Sequence, residues 1–177
     1  MFIAQGFEET EAIATADVLL RAGLKLKTVG IGKVIITGSH GLKIECDVCD
    51  TDISISDDID AIVLPGGMPG TNNLQNSQIV MKFLDFAAKN NILICAICAA
   101  PKILGSAGLL KGKKAVCYPG FEGELEGAIL QNTAVCTDEN IITAKCAGVA
   151  IDFGLEIVEA LIGKGKSVSI RESMQCK

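Results

Sequence analysis

Ile92-Leu-Ile-Cys-Ala-Ile-Cys98-Ala-Ala-Pro-Lys-Ile-Leu104 is the stretch that decides how this chain is read. It opens as an unbroken apolar run, the pattern of a strand buried on both faces of a parallel sheet. It ends at a cysteine flanked by alanines at positions 96, 99 and 100. Pro101 and a helix-like stretch follow. Small residues on both sides of one nucleophile mark a strand-to-helix elbow, with Cys in place of the more usual Ser. A thiol at such an apex feels the free N–H groups that open the next helix, and these favour an anion. A buried core cysteine is the alternative that this segment alone leaves open.

Working outward, strand-like and helix-like segments alternate along the whole chain. Phe2–Ala4 is a short apolar strand, and Glu9–Ala22 reads as a helix stopped by Gly23. Strands are expected over Leu24–Ile31, Val34–Thr37 and Leu42–Cys46, the last two joined at the turn Gly38-Ser-His-Gly41. Asp60–Leu64 is a further buried strand, broken by Pro65-Gly-Gly-Met-Pro-Gly70. A helix capped by Asn76 or Ser77 runs to Lys89, with Val80, Phe83, Leu84 and Ala87 at helical spacing. The elbow helix is expected to reach about Ala107. Lys114–Cys117, Ala134–Thr137 and Ile141–Ala144 read as strands. Cys146–Ile162 is the clearest helix, with Ala150, Phe153, Gly154, Ile157, Val158 and Leu161 in one stripe. The basic tail from Lys164 has no clear pattern. Alternation of this kind implies right-handed βαβ units and a mostly parallel sheet covered on both sides.

Composition bounds the possibilities. At 177 residues, with 49% hydrophobic and 21% charged, a single globular domain over 1–177 is expected. A net charge of −5 argues against nucleic acid or an anionic membrane as partner. No apolar run approaches a membrane span, and no signal-peptide layout opens the chain. The eight cysteines lack the loop spacing of a disulfide scaffold, which points to a reducing, cytoplasmic setting. Two pairs have the Cys-x-x-Cys form, Cys46/Cys49 and Cys95/Cys98. They lie too far apart for a zinc ribbon, and Cys95 falls inside the strand rather than at a helix start. No metal is expected.

In a parallel sheet the functional loops lie at the carboxyl ends of the strands. Three loops then share one edge: Gln5–Glu11, Pro65–Gly70 and the Cys98 elbow. Glu8 and Glu9 fit a role in complementing the helix dipole. Glu11 lies deeper in the first turn. Beside a thiolate its pKa would rise through burial and like-charge repulsion, and it could then shuttle a proton. For Gly66 and Gly67, a simple turn and an oxyanion hole built from backbone N–H groups fit equally well. Tyr118-Pro-Gly-Phe-Glu122 is best read as a turn that could reach the same edge. His40, the only histidine, is expected at the surface of the hairpin turn, so a Cys–His dyad has no evident second member.

Gly6-Phe-Glu-Glu-Thr-Glu11, Leu64-Pro-Gly-Gly67, Ala96-Ile-Cys-Ala-Ala-Pro101 and Asp152-Phe-Gly-Leu-Glu-Ile-Val-Glu-Ala-Leu161, in this order, resemble the ThiJ/PfpI superfamily. Within it the match is to the DJ-one-like branch, named for a parkinsonism-associated protein. The resemblance implies a flavodoxin-like three-layer α/β/α sandwich, like that of class I glutamine amidotransferases, assembled as a homodimer. It implies Cys98 as the reactive thiol and Glu11 as the protonated carboxyl bonded to it. The N–H groups of Gly67 and Ala99, with Gly66 adjoining, correspond to the oxyanion site. Arg21 matches a position that helps form an anion site near the thiol. Two departures bear on activity. Ala99 stands where the protease-like branch has a histidine, which argues against a peptidase. Tyr118 stands where the DJ-one-like branch often has a histidine. The implied activity is cofactor-independent detoxification of small reactive carbonyls or glycated amines and thiols, of the glyoxalase or deglycase type. A non-catalytic oxidative-stress sensor or redox-dependent chaperone, with the same cysteine oxidised to sulfinate, is the alternative.

Overall fold

A computed structural model describes residues 1–55 and 58–176. Strand β1 (Phe2–Ile3) leads into helix α1 (Glu9–Arg21) and β2 (Val29–Gly30). A hairpin of β3 (Ile35–Thr37) and β4 (Lys43–Glu45) follows, then β5 (Val48–Cys49) and β6 (Ala61–Leu64). Next come α2 (Gly70–Gln75), α3 (Gln78–Lys89), β7 (Leu93–Ile97) and α4 (Pro101–Ser106). β8 (Lys114–Ala115), β9 (Ile129–Leu130), β10 (Val135–Asp138) and β11 (Ile141–Ala144) precede α5 (Ala150–Ile162) and α6 (Lys164–Ser173).

The strands pair in the orders β5-β2-β1 and β6-β7-β11-β10, with β1 lying alongside β6. Every pairing in these two groups is parallel except the hairpin β10–β11. Side chains alternate across this layer as strand geometry demands. Cys95 and Ile97 of β7, Val63 of β6 and Ile142 of β11 face a core shared with Val18 of α1 and Phe153 of α5. Ile94 and Ala96 of β7, with Ile62 and Leu64 of β6, face the other core, against Phe83 and Leu84 of α3 and Ile103 of α4. The result is a three-layer α/β/α sandwich. The α1 and α5 helices approach closely at Gly154, where a Cβ would stand 2.9 Å from the Val18 Cβ.

Several elements differ from the sequence reading. The expected strand Leu24–Ile31 is regular only at Val29–Gly30, because the ladder with β1 spans just Phe2↔Val29 and Ile3↔Gly30. Lys114–Cys117 is strand only to Ala115. Beyond it, the Val116 N–H donates to Thr143 Oγ1 (3.0 Å) and the Tyr118 N–H to the Cys98 carbonyl (2.8 Å), so the segment is diverted from a ladder to the elbow. The glycine-rich break at 65–70 opens into a short helix, α2, that the sequence did not signal. Tertiary contacts hold it: the Gly70 N–H donates to the Gly6 carbonyl (3.1 Å), and the Asn73 side-chain amide to the Gln5 carbonyl (2.8 Å). The basic tail is helical as α6, seated on α5 through the Ser167 hydroxyl, which donates to the Leu155 carbonyl (3.0 Å).

Candidate active site

The carboxyl ends of β1, β6 and β7 bring the three loops together, as the topology argument requires. Cys98 follows directly on β7 with φ 64, the left-handed region that non-glycine residues seldom enter. The conformation is held at both ends: its N–H donates to the Ala144 carbonyl (2.9 Å), and its carbonyl accepts from Tyr118 (2.8 Å). A residue in this sparsely populated region needs surroundings that over-determine it, and such residues cluster at functional sites. Alanines at 99 and 100, both buried, let the chain turn from strand into α4 without crowding.

Glu11 lies in the first turn of α1, 1% exposed. Its Oε2 accepts the Gly66 N–H at 2.8 Å. Oε1 is buried without a nitrogen or oxygen partner, and the carboxyl interacts with the Cys98 thiol. Gly66 is wedged between the two groups. A Cβ there would stand 2.7 Å from both the Cys98 Cβ and Glu11 Oε2, so only glycine fits. Gly67, at φ 89, backs onto the Glu8 N–H with a 2.3 Å approach to any added Cβ, and so needs glycine on both grounds. The backbone N–H groups of Gly67 and Ala99 both interact with the Cys98 sulfur. These are the donors expected of an anion-binding cradle.

Burial dominates the electrostatics. It raises the Glu11 carboxyl to about 7, against the hydrogen bonds from Cys98 and the Gly66 N–H. Burial, with the Glu11 charge and hydrogen bond, pushes the Cys98 thiol up to about 12, and the Ala99 and Gly67 N–H groups oppose this. Between these two values the pair holds a single proton.

Tyr118 sits at the mouth, 47% exposed, its ring edge-on to Phe121 at 6.5 Å. Its backbone N–H links it to the Cys98 carbonyl. Arg21 is not brought to the thiol within the chain. It occupies the opposite end of α1 from Glu11, some 15 Å along the helix at ~1.5 Å per residue, and pairs with Asp17 at 2.7 Å. The sequence reading understated two acidic residues. Glu8 caps α1, its Oε2 accepting the Glu11 N–H at 2.7 Å. Glu9 is buried and gathers the hairpin turn: it accepts from the His40 N–H (2.8 Å), the Leu42 N–H (3.3 Å) and the Ser39 hydroxyl (3.2 Å), and pairs with His40 Nδ1 (2.9 Å). Sequence separation hid this role, since the partners lie some thirty residues away. Among the described residues, Glu8, Glu9 and His40 are the one His/Cys/acidic group with atoms close enough to share an ion, within 4.8 Å. Both Glu9 oxygens already have donors.

The sequence matches the profile of the DJ-1/PfpI family over residues 1–160. Protein dj-1beta of Drosophila melanogaster is 35% identical over 181 residues, covering 98% of this chain and 94% of that protein. A Caenorhabditis elegans protein named glutathione-independent glyoxalase DJR-1.2 is 34% identical, covering 92% of this chain and 87% of its own length. The Arabidopsis thaliana DJ-1 homolog B is 36% identical but longer, and the match covers 39% of it. Among solved structures, Drosophila DJ-1beta superposes with TM-score 0.93 at 34% identity over 99% of this chain and 96% of that one. Oxidised Toxoplasma gondii DJ-1 superposes with TM-score 0.94 at 31% identity over 98% and 95%. With the elbow, the buried glutamate and the glycine wedge in place, the chain belongs to the DJ-1/PfpI family.

Proposed function

We propose that this protein removes small reactive carbonyls by cysteine chemistry that needs no cofactor. The observation that carries the reading is a buried glutamate with one oxygen lacking a nitrogen or oxygen partner, set against a strained, half-buried thiol. Support comes from a relative named as a glyoxalase. With Glu11 protonated, its charge no longer opposes the thiolate; burial still raises the thiol, and the N–H groups of Gly67 and Ala99 act against burial. The Cys98 thiolate adds to the aldehyde carbon of methylglyoxal. The new C–S bond forms as the carbonyl π pair moves to oxygen, which the N–H cradle stabilises. Glu11 gives that oxygen its proton, takes the proton from the same carbon to leave an enediolate and returns one to the neighbouring carbon, while the hydroxyl proton passes to the former ketone oxygen. The hemithioacetal becomes a lactyl thioester. Water then cleaves it, releasing lactate and the thiol, with no net oxidation. Tyr118, bonded to Cys98 through its N–H, is assigned the substrate's second oxygen as its hydroxyl's partner.

Lactate formation from methylglyoxal tests this. Cys98→Ser and Glu11→Gln are each expected to lower turnover by at least ~10²-fold, the usual worth of a nucleophile or acid–base group. Undiminished turnover in either variant overturns the reading.

The free oxygen of Glu11 supports a second reading, in which Cys98 is oxidised to sulfinate and protonated Glu11 donates a hydrogen bond to it. A structural relative is described as oxidised. Homodimerisation is proposed through α1. Ile13 and Leu20, two turns apart, are 45% and 56% exposed on its outer face, and Leu42 at the adjoining hairpin tip is 58% exposed. Arg21 borders this face, so it would reach a thiol only in a second copy.

A further inference from the structure

We propose that Cys146 is a resolving thiol for Cys98, so that mild oxidation ends in a disulfide at the mouth of the site. The inference rests on Cys98 being the reactive thiol. β11 runs parallel to β7 with Ala144 opposite Ile97, and the Cys98 N–H donates to the Ala144 carbonyl at 2.9 Å. The chain continues straight past the end of β11: the Lys145 N–H donates to Ala134 (2.9 Å), and Cys146 is fully extended at φ −171 and ψ 177. Residues two apart on a strand share a face. Ala144 and Ile142 face the core layer that Cys98 packs against, and alternation along the extended chain assigns Cys146 to the same side.

The stagger between the two cysteines is one residue. About 3.3 Å along the strand and about 4.8 Å between strands put their Cα atoms roughly 6 Å apart. That lies within the range of roughly 4.4–6.8 Å that a disulfide spans. Both thiols are half-buried, hence reachable. The Cys146 sulfur lies near Gly148, 3.8 Å from where a Cβ there would stand.

Other cysteines near the elbow are placed wrongly. Cys95 lies three residues back on the same strand, about 10 Å away along it, and is fully buried. Cys117 packs into the core on the opposite face of the sheet. Glu11, buried with Oε1 free, supplies the acid that the first step needs.

The oxidant is a hydroperoxide. The Cys98 thiolate attacks the terminal peroxide oxygen, the O–O bond breaks, and the departing hydroxide or alkoxide takes the Glu11 proton. This leaves a sulfenic acid and water (or an alcohol, from an alkyl hydroperoxide), with Cys98 oxidised by two electrons and the peroxide reduced. The Cys146 thiolate then attacks the Cys98 sulfur. The S–S bond forms, the S–O bond breaks, and hydroxide leaves as water once protonated.

Titration with hydrogen peroxide, followed by intact mass and non-reducing peptide mapping, tests this. The wild type is expected to lose two hydrogens, to give a Cys98–Cys146 linked peptide, and to recover both thiols with dithiothreitol. Cys146→Ala and Cys146→Ser are each expected to lose that product and to gain two oxygens on Cys98 instead. If wild-type Cys98 gains two oxygens at the same rate as in these variants, with Cys146 still alkylatable, the resolving role is overturned. If Cys98 is not the first thiol modified in any form, the reactive-thiol assignment fails instead and takes this proposal with it.

Discussion

At Cys98 the backbone does what no side chain there could do. A positive φ lifts the thiol out of the strand line and toward Glu11, at a cost of order 1–3 kcal/mol that the flanking hydrogen bonds must offset. Glu11 carries a second cost, and it depends on pH. Its folded pKa of about 7 lies above the ordinary 4.5. Between those values the folded protein keeps a proton that the unfolded chain releases, so stability falls as pH rises through the window. At the upper end the penalty is on the order of 3 kcal/mol. Glutamine cannot ionise and can still accept the Gly66 N–H. Glu11→Gln is therefore expected to match wild type in urea midpoint near pH 4.5 and to exceed it at about pH 8. Equal midpoints at both pH values would refute the buried, proton-holding carboxyl. The Glu11–Cys98 pairing itself was readable in outline, because a carboxylate in the first turn of α1 and a thiol after a buried strand fall on one sheet edge. The wedge at Gly66 was not: a glycine after a strand looks the same whether it makes a turn or separates two reacting groups.

Among the elements, the β3–β4 hairpin shows how a surface feature braces the site. Its tip folds onto the start of α1 through Glu9, and Gly38 packs so closely that a Cβ would stand 2.3 Å from the Glu9 carboxyl. Burial would raise this carboxyl, but the His40 ring and the His40, Glu9 and Leu42 N–H groups outweigh it and hold the pKa near 2. Glu9 thus stabilises the fold above its ordinary pKa of 4.5, and the contribution is lost as pH falls toward about 2. His40 is raised by its bond to Glu9 and by the Glu9 charge, so its share is present when it is protonated and lost at higher pH. Glu9→Ala is expected to cost about 1–3 kcal/mol and to speed hydrogen exchange at the His40 and Leu42 amides. Unchanged exchange there would show that the tip is held by other contacts. Sequence reading treated Glu9 as a dipole partner, which any acidic residue in a first turn can be. Its burial follows only from where the hairpin lands.

For the molecule as a whole, the open question is what covers the outer face of α1. Ile13 and Leu20 face outward beside Leu42, whereas α5 and the sheet cover the opposite side of the helix. Leu20→Glu would place a charge in the proposed interface. It is expected to convert a dimer to a monomer in light scattering while leaving the circular dichroism unchanged; a dimer that survives would place the interface elsewhere. Periodicity and the buried runs at 61–64 and 93–97 were enough to determine the parallel sandwich, because burial on both faces leaves no polar alternation in such strands. The parallel topology then placed the Cys98 and Glu11 loops on one edge, and the family resemblance paired the two residues. Tertiary structure alone decided the rest: the left-handed elbow, the diversion of Tyr118 to the Cys98 carbonyl, and the capture of His40 by Glu9. The reason is physical. Periodic burial is written into neighbouring residues, whereas a hydrogen bond between residues tens of positions apart depends on where each loop finally lies.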